Sequence, residues 1–435
     1  MPIDITVTIG GTAGQGIQTV GDLLAGACHR SGLYLVAVND FESRIRGGHS
    51  FMQIRISDQP VTAPSHQIQL LVALNKETYD RHHAETASNG KIILDQEEKS
   101  GRENLLAVPF SQMAKDVGGK IMTNTVAAGA ALALLGAPFS VLEDVLKERF
   151  GDKESVLENN INAARGGYDA VKDETVDWRI DWPDQEPKGQ LLSGARVLAL
   201  GALAADCRLA AFYPMSPATG IMMNLAEFMD KAPIIVEQAE GEIAAVNMVV
   251  GASFAGVRAM TATSGGGFSL MTEGIGLAAI TETPLVIINA QRPGPATGLP
   301  TRTAQGDLQF VIHASQDEFP RFVLAPRSVN EGFDAVVRAF HLAEKYQVPV
   351  IILVDQYFND SLFIATEALT VPDQIERFLT TDEDMDDPPA YKRFALTESG
   401  VSPRAVPCRG KALVTATANE HSADGHISEA IADRN

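Results

Sequence analysis

The chain has 435 residues, of which 45% are hydrophobic and 21% are charged, which is enough apolar material for two or three globular domains. Its net charge of −20 argues against a surface that attracts a nucleic-acid backbone. The three cysteines, Cys28, Cys207 and Cys408, stand far apart and form no CxxC pair. This excludes a disulfide framework and a four-cysteine iron–sulfur site within the chain.

The N-terminal sequence MPIDITVTIGG predicts a strand at the start of a domain, because no basic flank precedes an apolar run as in a signal peptide. No stretch offers about 20 consecutive apolar residues, so the sequence predicts no membrane span. We expect a cytoplasmic protein, and the unpaired cysteines fit a reducing compartment.

The first part of the chain alternates strand and helix patterns. Residues 3–9 predict a strand, a glycine-rich loop follows, and a helical pattern runs from Ile17 to about Arg30. Such alternation predicts an α/β domain with a mostly parallel sheet, which we place at residues 1–175. Its other predicted strands are 33–38, 51–56, 68–73 and 91–94, and its other predicted helices are around 122–135 and 140–150.

Residues 176–193 are polar, carry two prolines and have no periodicity, so they predict a linker. A second parallel-sheet α/β domain is expected at 194–370, followed at 371–435 by a linker and the start of an incomplete C-terminal domain. The predicted strands of the second domain are about 209–213, 233–236, 257–262, 284–289, 321–324 and 348–354, and its helices are 195–206, 218–229, 241–253, 268–281 and 329–345.

The first glycine-rich loop, GGTAGQG, spans Gly10–Gly16 between a strand and a helix. The spacing of Gly11, Gly14 and Gly16 is neither the dinucleotide pattern GxGxxG nor a Walker A loop, which needs a lysine near its end. Two interpretations stay open: a tight strand–helix junction, and an anion site at a helix N-terminus.

Two further features invite a ligand hypothesis. Arg44 and Arg46 stand beside a glycine turn and could clamp a phosphate or carboxylate, although their spacing alone favours a solvated turn. The histidine pairs His82–His83 and His421 with His426 lack a third ligand at a metal-binding spacing, so the sequence predicts no metal site in this chain.

Five motifs stand at the ends of predicted strands in the second domain. In open parallel sheets, ligands bind at the carboxyl ends of the strands, so we expect these loops to converge on one crevice. The motifs are YPMSPATG (Tyr213–Gly220), EQAEGEIAAV (Glu237–Val246), TATSGGGFSLM (Thr261–Met271), QRPGPATGLPT (Gln291–Thr301) and QGDLQ (Gln305–Gln309).

This ordered set resembles the pyrimidine-binding domain of the α subunit of 2-oxoacid:ferredoxin oxidoreductases. The N-terminal domain, with GGTAGQG and its RGG segment, resembles the γ subunit of the same family. The resemblance covers most of residues 3–365, and fused γ–α chains are typical of the 2-oxoglutarate type. It therefore implies a γ-like domain followed by a domain that binds the aminopyrimidine ring of thiamine diphosphate.

The resemblance also implies a divided cofactor site. A β subunit would hold the diphosphate and Mg²⁺ through a GDG…N loop and would carry a [4Fe–4S] cluster. This chain has neither a GDG…N pattern nor a cysteine cluster, as expected of the pyrimidine side. The implied reaction is a coenzyme A-dependent oxidative decarboxylation of a 2-oxoacid, reversible in principle, with electrons passed to ferredoxin.

Thiamine catalysis needs a buried glutamate hydrogen-bonded to N1′ of the aminopyrimidine, and Glu237, Glu240 and Glu242 follow one predicted strand. The family motif aligns the pyrimidine glutamate with Glu242, and the other two fit acids near a helix N-terminus. By the same resemblance, the Ser216 hydroxyl and the Arg292 guanidinium would contact the substrate carboxylate. A turn role for Ser216 and a surface salt bridge for Arg292 are the alternatives.

The other residues expected at the sites follow from the same motifs. Tyr213, Pro214, Ser264, Gly265 and Gly266 are expected on the thiamine diphosphate side. Gly11, Gly14, Gln15, Gly16 and Arg44 are expected on the coenzyme A side.

Two questions stay open at the level of sequence. The substrate is expected to be 2-oxoglutarate, with pyruvate, branched-chain 2-oxoacids and indolepyruvate as alternatives that share its carboxylate and oxo groups. The other alternative is a non-catalytic assembly or regulatory chain of such a complex, for which the irregular C-terminal sequence is the argument.

Overall fold

The computed structural model describes residues 2–42, 48–96 and 103–434. The chain divides into unit 1, Met1–Leu192 with Ser361–Glu367, and unit 2, Ser193–Asp360 with Ala368–Asn435. Both units combine a sheet with packed helices, so the α/β class predicted from the sequence is confirmed. In the described parts of the chain, no helix is long and apolar enough to cross a membrane.

Unit 1 is built on an eight-stranded sheet with the order β6-β5-β4-β1-β3-β2-β14-β7. Strand β1 pairs parallel with β4 but antiparallel with β3, and β2 pairs antiparallel with both β3 and β14. The sheet is therefore mixed, whereas the sequence predicts a mostly parallel one. The chain returns from β2 to β3 through a short connection, and a short connection joins antiparallel strands. The strands are β1 Asp4–Thr12, β2 Tyr34–Phe41, β3 His49–Ser57, β4 Ile68–Ala73, β5 Thr86–Leu94, β6 Leu105–Ala107, β7 Gln190–Ser193 and β14 Leu362–Ala365.

The helices of unit 1 cover this sheet with a core of small and branched side chains. Residues 176–193, which the sequence predicts as a linker, contribute Trp178 and Ile180 to that core. The Trp178 indole N–H donates to the Asn89 carbonyl at 3.0 Å, which fixes the segment against the sheet. The helices are α1 Ile17–Arg30, α2 Lys76–His82, α3 Phe110–Val117, α4 Thr123–Leu135, α5 Phe139–Phe150 and α6 Glu154–Val171, with short 3₁₀ turns at His83–Glu85 and Lys120–Met122.

Unit 2 contains a six-stranded sheet with the order β12-β13-β11-β10-β8-β9, and its strand pairings are parallel. Its central strands are continuous apolar runs such as PVIILVD, because helices cover both faces of a parallel sheet. The strands are β8 Leu209–Phe212, β9 Ile235–Gln238, β10 Ala259–Thr263, β11 Leu285–Gln291, β12 Phe322–Leu324 and β13 Pro349–Asp355.

Most helices of unit 2 alternate with these strands, and four of the five that the sequence predicts begin within one residue of the predicted position. Two of them start at residues that matter below, α9 at Glu242 and α10 at Gly265. The helices are α7 Gly194–Ala204, α8 Thr219–Ala226, α9 Glu242–Phe254, α10 Gly265–Ile280, α11 Leu308–His313, α12 Val329–Tyr346, α13 Gln356–Asp360 and α14 Ile431–Arg434.

The segment 368–435 is largely irregular, with 3₁₀ turns at Asp382–Asp384 and Pro388–Ala390. Arginines attach it to the rest of unit 2. Arg377 donates to both carboxylate oxygens of the buried Glu344, which also accepts from the buried Arg258 at 2.7 Å. Arg404 lies 3.6 Å from the same carboxylate, so one buried acid is shared by three arginines.

Candidate functional site

The candidate residues of unit 2 lie at the carboxyl ends of four adjacent strands. Tyr213, Pro214 and Ser216 follow β8, and Glu242 follows β9 at the start of α9. Ser264 stands at the N-cap position of α10 after β10, and Arg292 follows β11. Because these strands are parallel, their carboxyl ends share one edge of the sheet, where ligands bind in open α/β folds.

Glu242 is the buried member of the three glutamates that follow the predicted strand. Its residue is 4% exposed, whereas Glu237 and Glu240 are exposed. Among the described residues, Glu242 Oε1 is buried and has no hydrogen-bond partner. A buried carboxylate oxygen without a partner is costly, so this atom is available to a group that the polypeptide does not supply.

A similar arrangement recurs at the start of α10. Ser264 is fully buried, and its hydroxyl makes no capping hydrogen bond to the helix. Within the described ranges, Ser264 Oγ and the nearby Thr261 Oγ1 on β10 both lack a hydrogen-bond partner. Two helix N-termini, those of α9 and α10, thus carry buried and unsatisfied acceptors at the same sheet edge.

Arg292 connects two of the predicted loops. Its Nη1 donates to the Ser216 carbonyl at 2.7 Å, while its Nε is buried and unpartnered among the residues that the structure describes. Burial lowers the pKa of Arg292, and the charge of Glu242 opposes that shift. The contact to Ser216 is made by the backbone, so a role for the Ser216 hydroxyl stays a prediction. Tyr213 is 39% exposed.

The sequence interpretation missed a polar network behind Arg292. Asn289 on β11 is fully buried and donates to Asp307 Oδ2 at 3.1 Å. The Asp307 backbone N–H in turn donates to Gln291 Oε1 at 2.9 Å, and Gln305 donates to Asp355 at 2.8 Å. The motif QGDLQ contains Gln305 and Asp307, but only the fold shows that they support the strand ends.

A cleft of about 370 Å³ opens beside Glu242. Two apolar side chains at this cleft are exposed, Ile243 at 58% and Leu270 at 52%. An apolar wall beside a buried carboxylate can accommodate a partly apolar ligand that carries a hydrogen-bond donor. Its lining residues are Glu240, Gly241, Glu242, Ile243, Ala244, Asn247 and Leu270.

In the glycine-rich loop of unit 1, unlike at the starts of α9 and α10, the polar side chain Gln15 has hydrogen-bond partners within the protein. Gln15 Oε1 accepts from the Thr12 backbone N–H at 2.6 Å and from the Asn75 side chain at 2.8 Å. Gly16 packs so closely on Asn124 that a Cβ would overlap the Asn124 side chain, whereas Gly14 faces open space. Gly11 is a buried residue of β1, and Arg44 lies outside the described residues.

Next to this loop lies a buried histidine pair. His49 Nε2 and His82 Nε2 are 2.8 Å apart, and His82 Nδ1 lies 2.9 Å from Glu85 Oε2. Two ring nitrogens at this distance share one proton. Burial, followed by the charges of His82 and Arg81, lowers the pKa of His49.

Comparisons with known proteins match each unit to a family model. A family model described as pyruvate flavodoxin/ferredoxin oxidoreductase, thiamine diP-bdg, matches residues 200–434. A second, described as pyruvate ferredoxin/flavodoxin oxidoreductase, matches residues 6–170. The chain is 33% identical to the 2-oxoacid:ferredoxin oxidoreductase subunit alpha of Sulfolobus sp, over 98% of this chain and 76% of that subunit.

Two further relatives bear on the substrate. Over 42% of this chain and 48% of the relative, the identity to the 2-oxoglutarate synthase subunit KorA of Methanothermobacter thermautotrophicus is 44%. The structure also resembles a 2-oxoglutarate:ferredoxin oxidoreductase from Magnetococcus marinus solved with 2-oxoglutarate, coenzyme A and succinyl-CoA bound. That match has a TM-score of 0.88 and 32% identity, over 99% of this chain and 77% of the other.

Proposed function

This chain belongs to the 2-oxoacid:ferredoxin oxidoreductase family as an alpha subunit, and we propose that it oxidises 2-oxoglutarate to succinyl-CoA and CO₂ in complex with a β subunit. The observation that carries the proposal is the buried and unpartnered carboxylate oxygen of Glu242, beside an open cleft. Electrons would pass to ferredoxin through the β subunit, and the reaction could also run towards carboxylation.

The residues at the sheet edge fit one half of a thiamine diphosphate site. The cofactor supplies the nucleophilic carbon and the electron sink that decarboxylation needs. Glu242 would hold the ring nitrogen N1′ of the aminopyrimidine through Oε1, which the described chain leaves unsatisfied. Ile243 and Leu270 would cover the ring, and the buried hydroxyl of Ser264 offers one more polar contact beside Gly265 and Gly266.

Arg292 is the proposed anchor for the substrate carboxylate. Its contact to the Ser216 carbonyl fixes one end of the guanidinium. The Nε–H group, which has no partner among the described residues, is free to donate a hydrogen bond to a ligand. A guanidinium binds a carboxylate through two parallel hydrogen bonds, and every 2-oxoacid presents that group. In this proposal Glu242 binds the cofactor and Arg292 binds the substrate.

The choice of 2-oxoglutarate rests on the relatives. The KorA subunit and the Magnetococcus marinus enzyme are both named for that substrate, and the fused arrangement of a γ-like and an α-like region points the same way. The Sulfolobus relative is named only for 2-oxoacids, so pyruvate and branched-chain 2-oxoacids belong in the same substrate test.

A β subunit is the proposed partner at the open side of the cleft. Ile243, Met248 and Leu270 on α9 and α10 are exposed apolar side chains, which a partner surface would bury. We assign Mg²⁺ and a [4Fe–4S] cluster to that subunit, because the three cysteines of this chain are too few for four cluster ligands.

Coenzyme A is the proposed acyl acceptor. In unit 1, the exposed Gly14 faces open space next to the N-terminus of α1, which would suit a phosphate. We therefore propose Gly14 as a contact of coenzyme A, while roles for Gly11, Gln15, Gly16 and Arg44 stay predictions from the sequence.

The test is an anaerobic assay of the chain alone and co-purified with its β subunit, following viologen reduction with each 2-oxoacid, with and without coenzyme A. We expect activity in the complex only, with 2-oxoglutarate as the best substrate and a requirement for coenzyme A. The variant Glu242→Gln should lower kcat by about 10²- to 10⁴-fold, the usual contribution of a proton-handling group. The matched control Glu237→Gln changes an exposed residue of β9 and should retain full activity.

A complex that contains thiamine diphosphate and a filled cluster, but reduces no viologen with any 2-oxoacid, would support the non-catalytic alternative. Undiminished activity of Glu242→Gln would remove Glu242 from the reaction.

A further inference from the structure

Gly267 lies in the first turn of α10, opposite Glu242 of α9. A Cβ added to Gly267 would stand 2.6 Å from Glu242 Oε1 and 2.8 Å from Glu242 Cγ, with Thr263 Oγ1 closer still. Carbon and oxygen atoms do not approach so closely without displacement, so the space that a side chain would occupy at Gly267 is filled by Thr263 Oγ1 and the Glu242 side chain together.

The backbone gives no other reason for glycine at this position. Gly267 is a helical residue and is absent from the positive-φ glycines of the described chain. Alanine has a higher helix propensity than glycine by about 1 kcal/mol, so local helix stability would favour alanine here. The glycine is explained by the contact with Glu242 and Thr263.

We infer that Gly267 is a positioning residue for the proposed reaction: it leaves the space that holds the Glu242 carboxylate against α10. The inference rests on the proposed role of Glu242 and extends it. Glu242 Oε1 has no hydrogen-bond partner among the described residues, so packing against α10 is what fixes its position. Gly267 acts through Glu242.

The consequence of a methyl group at Gly267 follows from these distances. Glu242 must move by several tenths of an ångström to reach an ordinary contact distance, and its Oε1 then leaves the position from which it would meet N1′. Since a misplacement of about 1 Å can cost roughly 10²-fold in rate, we expect a loss of about tenfold or more for Gly267→Ala.

The same pair of helices provides two matched controls. Gly274 of α10 packs on Val246 of α9, and its added Cβ would stand 2.6 Å from Val246 Cγ1, so Gly274→Ala perturbs the helix packing without touching Glu242. Gly251 of α9 has no atom within 4 Å of an added Cβ, so Gly251→Ala adds a methyl group without a clash.

The experiment measures deuterium exchange at C2 of bound thiamine diphosphate by NMR in the complex with the β subunit, without any 2-oxoacid, together with kcat and thermal stability. Gly267→Ala should slow exchange about tenfold or more and should lower kcat in parallel. In the Glu242→Gln background the same change should cause no further slowing, because two changes that act on one carboxylate are not additive. Gly274→Ala should lower stability and leave exchange unchanged. Gly251→Ala should also leave exchange unchanged and should not lower stability, because alanine favours the helix and the added methyl group meets no atom.

A second variant guards against misfolding. Removing Thr263 Oγ1 relieves the closest clash, so Gly267→Ala in the Thr263→Ala background keeps mainly the contact with Glu242 and is compared with Thr263→Ala alone. If exchange in this pair is equal, the inference about Gly267 is overturned. A wild-type complex that binds thiamine diphosphate but shows no exchange would instead overturn the proposed function, and slow exchange in Gly274→Ala would reduce Gly267 to a general packing position.

Discussion

The two units each contain a glycine-rich loop between a strand and a helix, but the loops differ in how their polar groups are satisfied. In unit 1, Gln15 Oε1 accepts hydrogen bonds from Thr12 and Asn75, and the Asn124 side chain fills the space beside Gly16. In unit 2, the junction between β10 and α10 leaves Ser264 Oγ buried without a partner among the described residues, and the junction between β9 and α9 does the same for Glu242 Oε1.

This difference shows what glycine spacing can and cannot indicate. A glycine at a strand–helix junction permits close approach, but the approaching group can be the protein itself, as Asn124 is, or a ligand. Unsatisfied buried acceptors discriminate between the two cases, because protein interiors rarely leave such atoms without a partner. By the same criterion, Asn124 Oδ1 also lacks a hydrogen-bond partner within the described part of unit 1.

The largest expected effect comes from the buried cluster that Glu344 and its arginines form in unit 2. Glu344→Gln removes the one carboxylate that Arg258 and Arg377 share, and leaves buried positive charge without compensation. We expect the free energy of unfolding to fall by about 3–5 kcal/mol, as measured by chemical denaturation. The complex should keep its kcat at a temperature where it stays folded, because the cluster holds the segment 368–435.

The control for this change is Glu331→Gln on α12, which alters the exposed ion pair of Glu331 with Arg327. An exposed pair contributes less than about 1 kcal/mol, so its variant should remain close to wild type. Equal losses for the two variants would contradict the structural role of the Glu344 cluster.

An intermediate effect tests the two loops directly. Gln15→Ala leaves the Thr12 N–H without its acceptor, so the unfolding free energy should fall by about 1–3 kcal/mol. Ser264→Ala removes no hydrogen bond to the described chain, so stability should stay nearly unchanged while thiamine diphosphate binds more weakly in calorimetry. The comparison fails if the two variants lose the same stability, or if Ser264→Ala binds the cofactor as tightly as wild type.

The smallest expected effect is a pH dependence of unit 1. Burial lowers the pKa of His49 in the folded protein, so the unfolded chain takes up a proton first as the pH falls. The stability contribution is fully present above the unfolded pKa of about 6.5 and is lost as the pH falls from there through the folded value. Hydrogen exchange of β3 amides between pH 7.5 and 5.5 should show this loss in wild type and a weaker loss in His49→Gln.

The charged groups that face His49 are His82, Arg81, Glu77 and Glu42, and the Glu85 carboxylate contacts His82 Nδ1. The exposed His66 offers the control His66→Gln, which should keep the wild-type pH dependence. An unchanged dependence in His49→Gln would assign the effect to another group.

Much of unit 2 could be predicted from the sequence, because apolar runs such as PVIILVD mark parallel strands and glycine-containing loops such as SGGG mark the ends of several others. Unit 1 was less predictable. The antiparallel pairing of β2 with β3 makes its sheet mixed. The apolar residues of α6 are few and stand between polar ones, so their helical periodicity is weak. The strand LFIA, in β14, pairs with β2 more than 300 positions away in sequence, and no local pattern indicates such a partner.

The candidate site shows the same limit. A motif selected Glu242 over Glu237 and Glu240, and the burial of Glu242 is consistent with that choice, while its role stays a prediction. The sequence could not indicate that Gly267 packs on Glu242, that Asp307 supports Asn289, or that His49 lies against His82. Each of these contacts depends on two elements brought together by the fold, and propensity and spacing describe one element at a time.

The position of β14 has a consequence for how unit 1 folds during synthesis on the ribosome. In the sheet of unit 1, β14 lies between β2 and β7. In the sequence, residues 193–360 of unit 2 stand between β7 and β14. A ribosome adds about 5–20 residues per second, so a nascent unit 1 waits roughly ten to thirty seconds with a gap in its sheet. During that interval the edge of β2 is open to pairing with other chains, and β14 closes it only after nearly the whole of unit 2 has been made.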